Sequence, residues 1–117
     1  MRGLTILVAT ADPARYHAAL SLAAAQAALG GRARLYLHGE AVALLGETTE
    51  DPRYAGAGMP GLAELRTEAA ALGVGFLACQ SGFTLTGLSP ADASPDVEAG
   101  GLIGLLRELG NDRLVVL

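Results

Sequence analysis

The chain has 117 residues, 51% of them apolar and 17% charged, with a formal net charge of −4. This composition fills a core and excludes a disordered chain, while the acidity and the lack of a basic patch exclude nucleic acid and anionic membranes as partners. All eight basic residues are Arg, which also excludes a phosphate-loop lysine and a Schiff-base lysine.

Residues 4–9 form a nearly continuous apolar run, the pattern of a parallel strand covered on both faces. Arg2, this run and Ala9-Thr10-Ala11 mimic a secretory leader, but the run is shorter than the roughly 7–15 residues of a signal core. No stretch approaches the ~20 apolar residues of a membrane span. The expectation is one domain, residues 1–117, in the cytoplasm. Asp12-Pro13 reads as an N-cap with Pro at the first helical position, and it predicts a helix over 13–29 that Gly30-Gly31 stops. His17, early in that helix, reads as helix surface or a subunit contact. Residues 32–37 are the second strand; Arg32 and Arg34 alternate with Ala33 and Leu35, which predicts a partly exposed edge. His38-Gly39-Glu40 closes the strand, and a short helix follows over 41–45.

Residues 46–58 read as a long polar loop, a class of segment that is often functional or mobile. Its end, Gly56-Ala57-Gly58-Met59-Pro60-Gly61, formally matches G-x-G-x-x-G. No strand precedes it, and Ser81 rather than an acid stands about 20 residues on, so a dinucleotide site is not expected. Met59 becomes a candidate shield over a pocket. From Pro60 a helix turns Leu62, Leu65, Ala69 and Leu72 inward and Glu64, Arg66 and Glu68 toward water. Residues 74–78 form a strand that ends on Cys79. A helical turn over 81–88 follows, then a loop over 89–97 with a brief strand near Val97. A helix over 100–109 carries Leu102, Leu105, Leu106 and Leu109 on one face, and 113–117 is the last strand.

Alternating strands and helices predict a three-layer α/β/α sandwich with a mainly parallel sheet. Right-handed crossovers then bring Thr10, His38 and Cys79 to one edge, the edge where open parallel sheets bind ligands. Cys79 is the sole cysteine and has no internal disulfide partner. A thiol entering a helix meets the positive helix end and free N–H donors, which favour the thiolate. The plain alternative is a buried structural thiol. His38 is the candidate base or hydrogen-bond partner. Ser81 and Gly82 offer a hydroxyl and an unhindered N–H beside the sulfur, Gln80 adjoins it, and Asp12 is chiefly a helix cap near the same edge. One Cys and two scattered His lack zinc spacing, so neither metal nor cofactor is expected.

The ordered set of pieces resembles the DsrE-like family, which includes the sulfur-relay subunits DsrE, DsrF and TusD. The resemblance covers essentially the whole chain. It is carried by the first strand with Asp12-Pro13, by Leu35-Tyr36-Leu37-His38-Gly39-Glu40-Ala41-Val42, by Leu72-Gly73-Val74-Gly75-Phe76-Leu77-Ala78-Cys79-Gln80-Ser81, by Thr86-Gly87-Leu88 and by Gly100-Gly101-Leu102. It implies a parallel five-stranded sheet and a homo-oligomer, a trimer or hexamer. It also implies a cysteine at the position of Cys79 that accepts sulfur from a donor protein as a persulfide and passes it to an acceptor protein. Gln80 departs from relay members, which often have a small residue there. Two other readings remain open at this point: a non-catalytic oligomeric module that binds a small molecule with Cys79 lining the pocket, and a thiol redox protein, weakened by the lack of a second cysteine.

Overall fold

The computed structural model describes residues 1–47, 49–94 and 96–117; Thr48 of the first predicted loop and Pro95 of the second lie outside them. Five strands, β1 (Leu4–Val8), β2 (Ala33–Leu37), β3 (Gly75–Cys79), β4 (Val97–Gly100) and β5 (Arg113–Val116), form one sheet in the order β4-β3-β2-β1-β5. Every ladder is parallel. The helices are α1 (Pro13–Ala28), α2 (Pro52–Gly56), α3 (Leu62–Ala71), α4 (Gln80–Thr86) and α5 (Leu102–Arg107), with a 3-10 segment over Gly39–Leu45.

Strand alternation sorts the sheet into two unequal faces. Ile6, Val8, Leu35, Leu37, Phe76 and Ala78 belong to the main core, which Leu20, Ala23, Leu65 and Ala69 of α1 and α3 complete. Small alanines let α1 lie close to the sheet. Its start is fixed as predicted: the Asp12 carboxylate accepts the Ala14 N–H at 2.9 Å, with Pro13 in the first turn. The strand order runs one way through β1, β2 and β3, so right-handed crossovers put α1 and α3 on the same face. Only the β4–β5 crossover reverses, which places α5 alone on the other. The layers are therefore α/β/α, but a six-residue helix covers little of the second face. Leu105 is buried, whereas Ile103, Leu106, Leu114 and Val116 are exposed. The predicted leucine face of the last helix thus reduces to one inward side chain.

β2 corrects the edge prediction: it lies at the centre, bonded to β1 and β3, and β4 and β5 are the edges. The Arg alternation signalled a buried ion pair instead. Arg34 projects onto the second face, where its guanidinium donates to Thr5 Oγ1 and faces Asp112 at 3.9 Å and Glu108 at 3.5 Å. Burial, with Arg32 adding to it, eases the Arg34 proton off; Asp112 and Glu108 hold it on.

The long loop is also more structured than predicted. Asp51 caps α2 through the Arg53 N–H, and the Glu50 carboxylate accepts the N–H groups of Leu62 and Ala63, capping α3 from a distance in sequence. The helix therefore begins at Leu62 rather than Pro60, with Gly61 as its cap; a Cβ there would collide with Glu50. His17 is buried rather than on the surface. Its Nε2–H donates to the Pro60 carbonyl at 2.9 Å, and its ring stacks on Tyr54 at 4.0 Å. Arg66, expected in water, is half-buried: it lies 3.7 Å over the Phe76 ring and forks onto Asp96. Leu72, expected inside, is exposed.

Candidate functional site

The edge beyond the strand C-termini holds the thiol. β3 delivers Cys79 as the last strand residue, and α4 starts at the next one. β2 ends one residue before His38, level with Cys79 in the register. The chain then turns at Gly39, whose φ of +56° suits only glycine at low cost. The 3-10 segment and α4 pack together so closely that Gly82 has no room for a side chain: a Cβ would sit 2.5 Å from Val42 Cγ2 and 2.6 Å from the Gly39 oxygen. Two tight glycines therefore bring two backbone segments to one sulfur.

The result is an open cleft of about 550 Å³ lined by His38, Gly39, Cys79, Ser81, Gly82, Thr84 and Leu85. The thiol is half-buried within it. Burial pushes its acidity down, but the N–H groups of Gly39 and Gly82, the Tyr36 hydroxyl and the Ser81 N–H together outweigh that and hold the Cys79 pKa below the ordinary thiol value. None of these closes into a short hydrogen bond; they act as dipoles around the sulfur. A thiolate in an open cleft is a nucleophile, and it needs no metal or cofactor for attack on a sulfur atom.

Of the residues expected at the site, Cys79, His38, Ser81 and Gly82 meet in the cleft. Thr10 lies at the same edge, half-buried with its Oγ1 lacking a partner, but outside the lining. Gln80 is exposed as the first residue of α4. Asp12 is occupied as the α1 cap and by Arg15 at 3.7 Å, so it serves the helix rather than the cleft. Met59 is exposed and outside the cleft, because Glu50 and His17 tie its loop to α3 and α1. His38 shares the cleft wall but makes no hydrogen bond to the sulfur, and its Nδ1 is buried without a partner.

Tyr36 was not expected at the site. It is fully buried on the second face, two residues before His38 and stacked on that ring at 6.1 Å. Its pKa is raised to about 12, by burial first and then by Cys79. The signal for it was the period-2 relation Tyr36–His38 combined with the register that sets His38 beside Cys79. A separate cavity of about 370 Å³, lined by Tyr16, Leu62, Arg66, Thr67 and Asp96 among others, lies away from the thiol. Its one cation already holds Asp96, so the glue between α3 and the loop before β4 accounts for it. Among the described residues no cluster of His, Cys, Asp and Glu could hold a metal ion, and no helix is long and apolar enough to cross a membrane.

No family model and no curated protein matches the chain. Among solved structures, the crystal structure of the YchN protein from E. coli is similar over 100% of both chains, with a TM-score of 0.70 and 20% identity. At that identity the likeness establishes the fold, a parallel five-stranded sheet between helices.

Proposed function

We propose that this chain is a small cytoplasmic sulfur carrier that works through Cys79. The observation that carries the reading is a solvent-open thiol whose acidity is raised by N–H groups from two backbone segments. The DsrE-like order of motifs supports it. The Cys79 thiolate attacks the outer sulfur of a donor persulfide, R–S–SH. The donor S–S bond breaks, R–S⁻ leaves, and Cys79–S–SH remains. An acceptor thiolate, R′–S⁻, then attacks that outer sulfur, forming R′–S–SH and returning Cys79–S⁻. Nothing is oxidised or reduced overall, so one cysteine is enough. After incubation with cysteine and a cysteine desulfurase, intact-mass analysis should show one added sulfur, removable by a thiol and absent in Cys79→Ser. A thiol that stays unmodified with several persulfide donors would end this reading.

One observation favours a second reading, a binding module. His38 Nδ1 is buried in the cleft wall with no partner, an arrangement that a ligand polar atom would complete. Thermal stabilisation by a small molecule that survives Cys79→Ser would select it.

The partners are a sulfur donor protein, an acceptor protein and further copies of this chain, as a trimer or hexamer. Self-association is supported by the apolar side chains left exposed on the last helix and strand, Ile103, Leu106, Leu114 and Val116. Light scattering at micromolar concentration should give a mass of three chains or more; a monomer would contradict it.

A further inference from the structure

We infer that the Tyr36 hydroxyl, rather than His38, is the side chain that governs the Cys79 sulfur, turning its unpartnered proton to the sulfur once the thiol ionises and to the same sulfur as it departs during transfer. The first half of this inference starts from the strand register and the buried, unpartnered hydroxyl, with the mutual influence on acidity beside them; the second rests on the sulfur-carrier reading.

The geometry begins in the sheet. Tyr36 is level with Leu77 in the parallel register, and Leu37 with Ala78. Side chains two apart on a strand share a face, so Tyr36, His38, Leu77 and Cys79 all project to the second face. A tyrosine ring that leans along its strand from the level of Leu77 brings its hydroxyl toward the level of Cys79. The ring is fully buried, yet its oxygen forms no well-shaped hydrogen bond within the fold. A buried hydroxyl without a partner is costly, and such groups cluster where a second state supplies the partner. Burial comes first in raising the Tyr36 pKa, and among the described residues Cys79 follows; the influence is mutual, because the thiolate makes the phenol harder to ionise while the phenol makes the thiol easier to ionise.

The other titratable groups near the thiol leave this pairing alone. β2 contributes His38, which is not among the groups that set the acidity of the sulfur. The 3-10 segment contributes Glu40, which is exposed, and β4 contributes Glu98, also exposed. α4 carries no titratable side chain. The phenol keeps its proton far above neutral pH, so it remains a donor throughout the range in which the thiol titrates. In the transfer step the acceptor thiolate forms a bond to the outer sulfur, the S–S bond breaks, and its electron pair stays on Cys79. A standing O–H donor stabilises that departing thiolate, and a thiol of lower pKa leaves faster. No proton needs to move.

The test is the pH dependence of Cys79 alkylation by iodoacetamide in the full chain, with no sulfur donor present. In Tyr36→Phe the midpoint should rise by about one unit, a roughly tenfold slower reaction at neutral pH, since one hydrogen bond to a charged group is lost. The limiting rate at high pH should hold, as should the thermal midpoint within a few degrees. His38→Gln should leave the midpoint in place. A purely structural role for Tyr36 would change the melting curve without moving the titration. A second measurement covers a variant that does not fold: the Tyr36 phenol in otherwise unaltered protein, followed by ring-carbon NMR, should titrate lower in Cys79→Ser than in the parent chain. An unmoved midpoint in Tyr36→Phe, an equal shift in His38→Gln, or a phenol indifferent to Cys79→Ser would each overturn the inference. None of these readouts requires sulfur transfer. A Tyr36-dependent thiol that never takes up sulfur removes the carrier reading and leaves this pairing standing; a Cys79 that loads sulfur with a midpoint indifferent to Tyr36 does the reverse.

Discussion

Asp112→Ala should lower the stability of the fold by about 3 kcal/mol, the usual cost of removing one partner from a buried ion pair. For a chain of this length that is a fall in the thermal midpoint of roughly 10 °C. The reasoning starts from Arg34, whose side chain is 9% exposed at the centre of the sheet. Its charge has no water shell to return to. Thr5 connects the two ions: its hydroxyl donates to Asp112 at 3.1 Å while it accepts from the guanidinium. With the carboxylate gone, Thr5 loses its acceptor and Arg34 loses its buried counter-ion. Glu108 also faces Arg34, but its side chain is 70% exposed, so Glu108→Gln should cost at most about 1 kcal/mol. Adding Arg34→Met to Asp112→Ala should recover most of the loss, because two apolar groups need no partner. Chemical denaturation of the four proteins checks the set. An Asp112→Ala variant as stable as the parent would show that water reaches Arg34 in the folded chain.

What the sequence discloses and what it hides divide along a physical line. Signals that act within a few residues are legible. Asp12-Pro13 predicts the start of α1 because the cap is a local bond, and the apolar run before Cys79 predicts β3 because a strand buried on both faces is apolar throughout. Topology brings the strand-end residues His38 and Cys79 to one edge, and Ser81 and Gly82 join them because they follow Cys79 directly in sequence. The same local signal stands at Asp51-Pro52, where the cap and proline repeat the α1 pattern within a run of polar residues that otherwise reads as a plain loop. Pairings between distant residues are not legible. Arg34 looks like an exposed edge residue until Asp112 arrives from the end of the chain, and Tyr36 is an ordinary strand aromatic until the β2–β3 register sets it level with Leu77, two residues before the thiol on the same face. Glu50 reads as loop charge until α3 presents its free N–H groups. In each case the partner lies beyond any spacing rule.

Gly82 tests whether the cleft depends on backbone packing. Gly82→Ala adds one carbon that would stand 2.5 Å from Val42 Cγ2 and 2.6 Å from the Gly39 oxygen. Neither distance is tolerable, and the oxygen belongs to backbone, so α4 and the 3-10 segment must move apart. Overpacking of this kind costs about 1–3 kcal/mol, against which alanine regains up to about 1 kcal/mol as the better helix former. The larger effect falls on the thiol. Gly39 and Gly82 each present an N–H to the sulfur, and separating the two segments withdraws at least one of them. The alkylation midpoint should rise with the loss, so that the reaction at neutral pH slows about tenfold. Two companions isolate the cause. Gly87→Ala sits at a φ of +74° with nothing within 4 Å of the new carbon, so it should strain the end of α4 and leave the thiol unchanged. Val42→Ala combined with Gly82→Ala removes the side-chain collision but leaves the carbonyl, so it should restore part of the stability and little of the reactivity. Full recovery of the thiol in that double variant would mean that Val42, rather than the approach of two backbones, shapes the sulfur's surroundings. Persistence of the defect would mean that the acidity of Cys79 is a property of how closely two glycines allow the chain to meet itself.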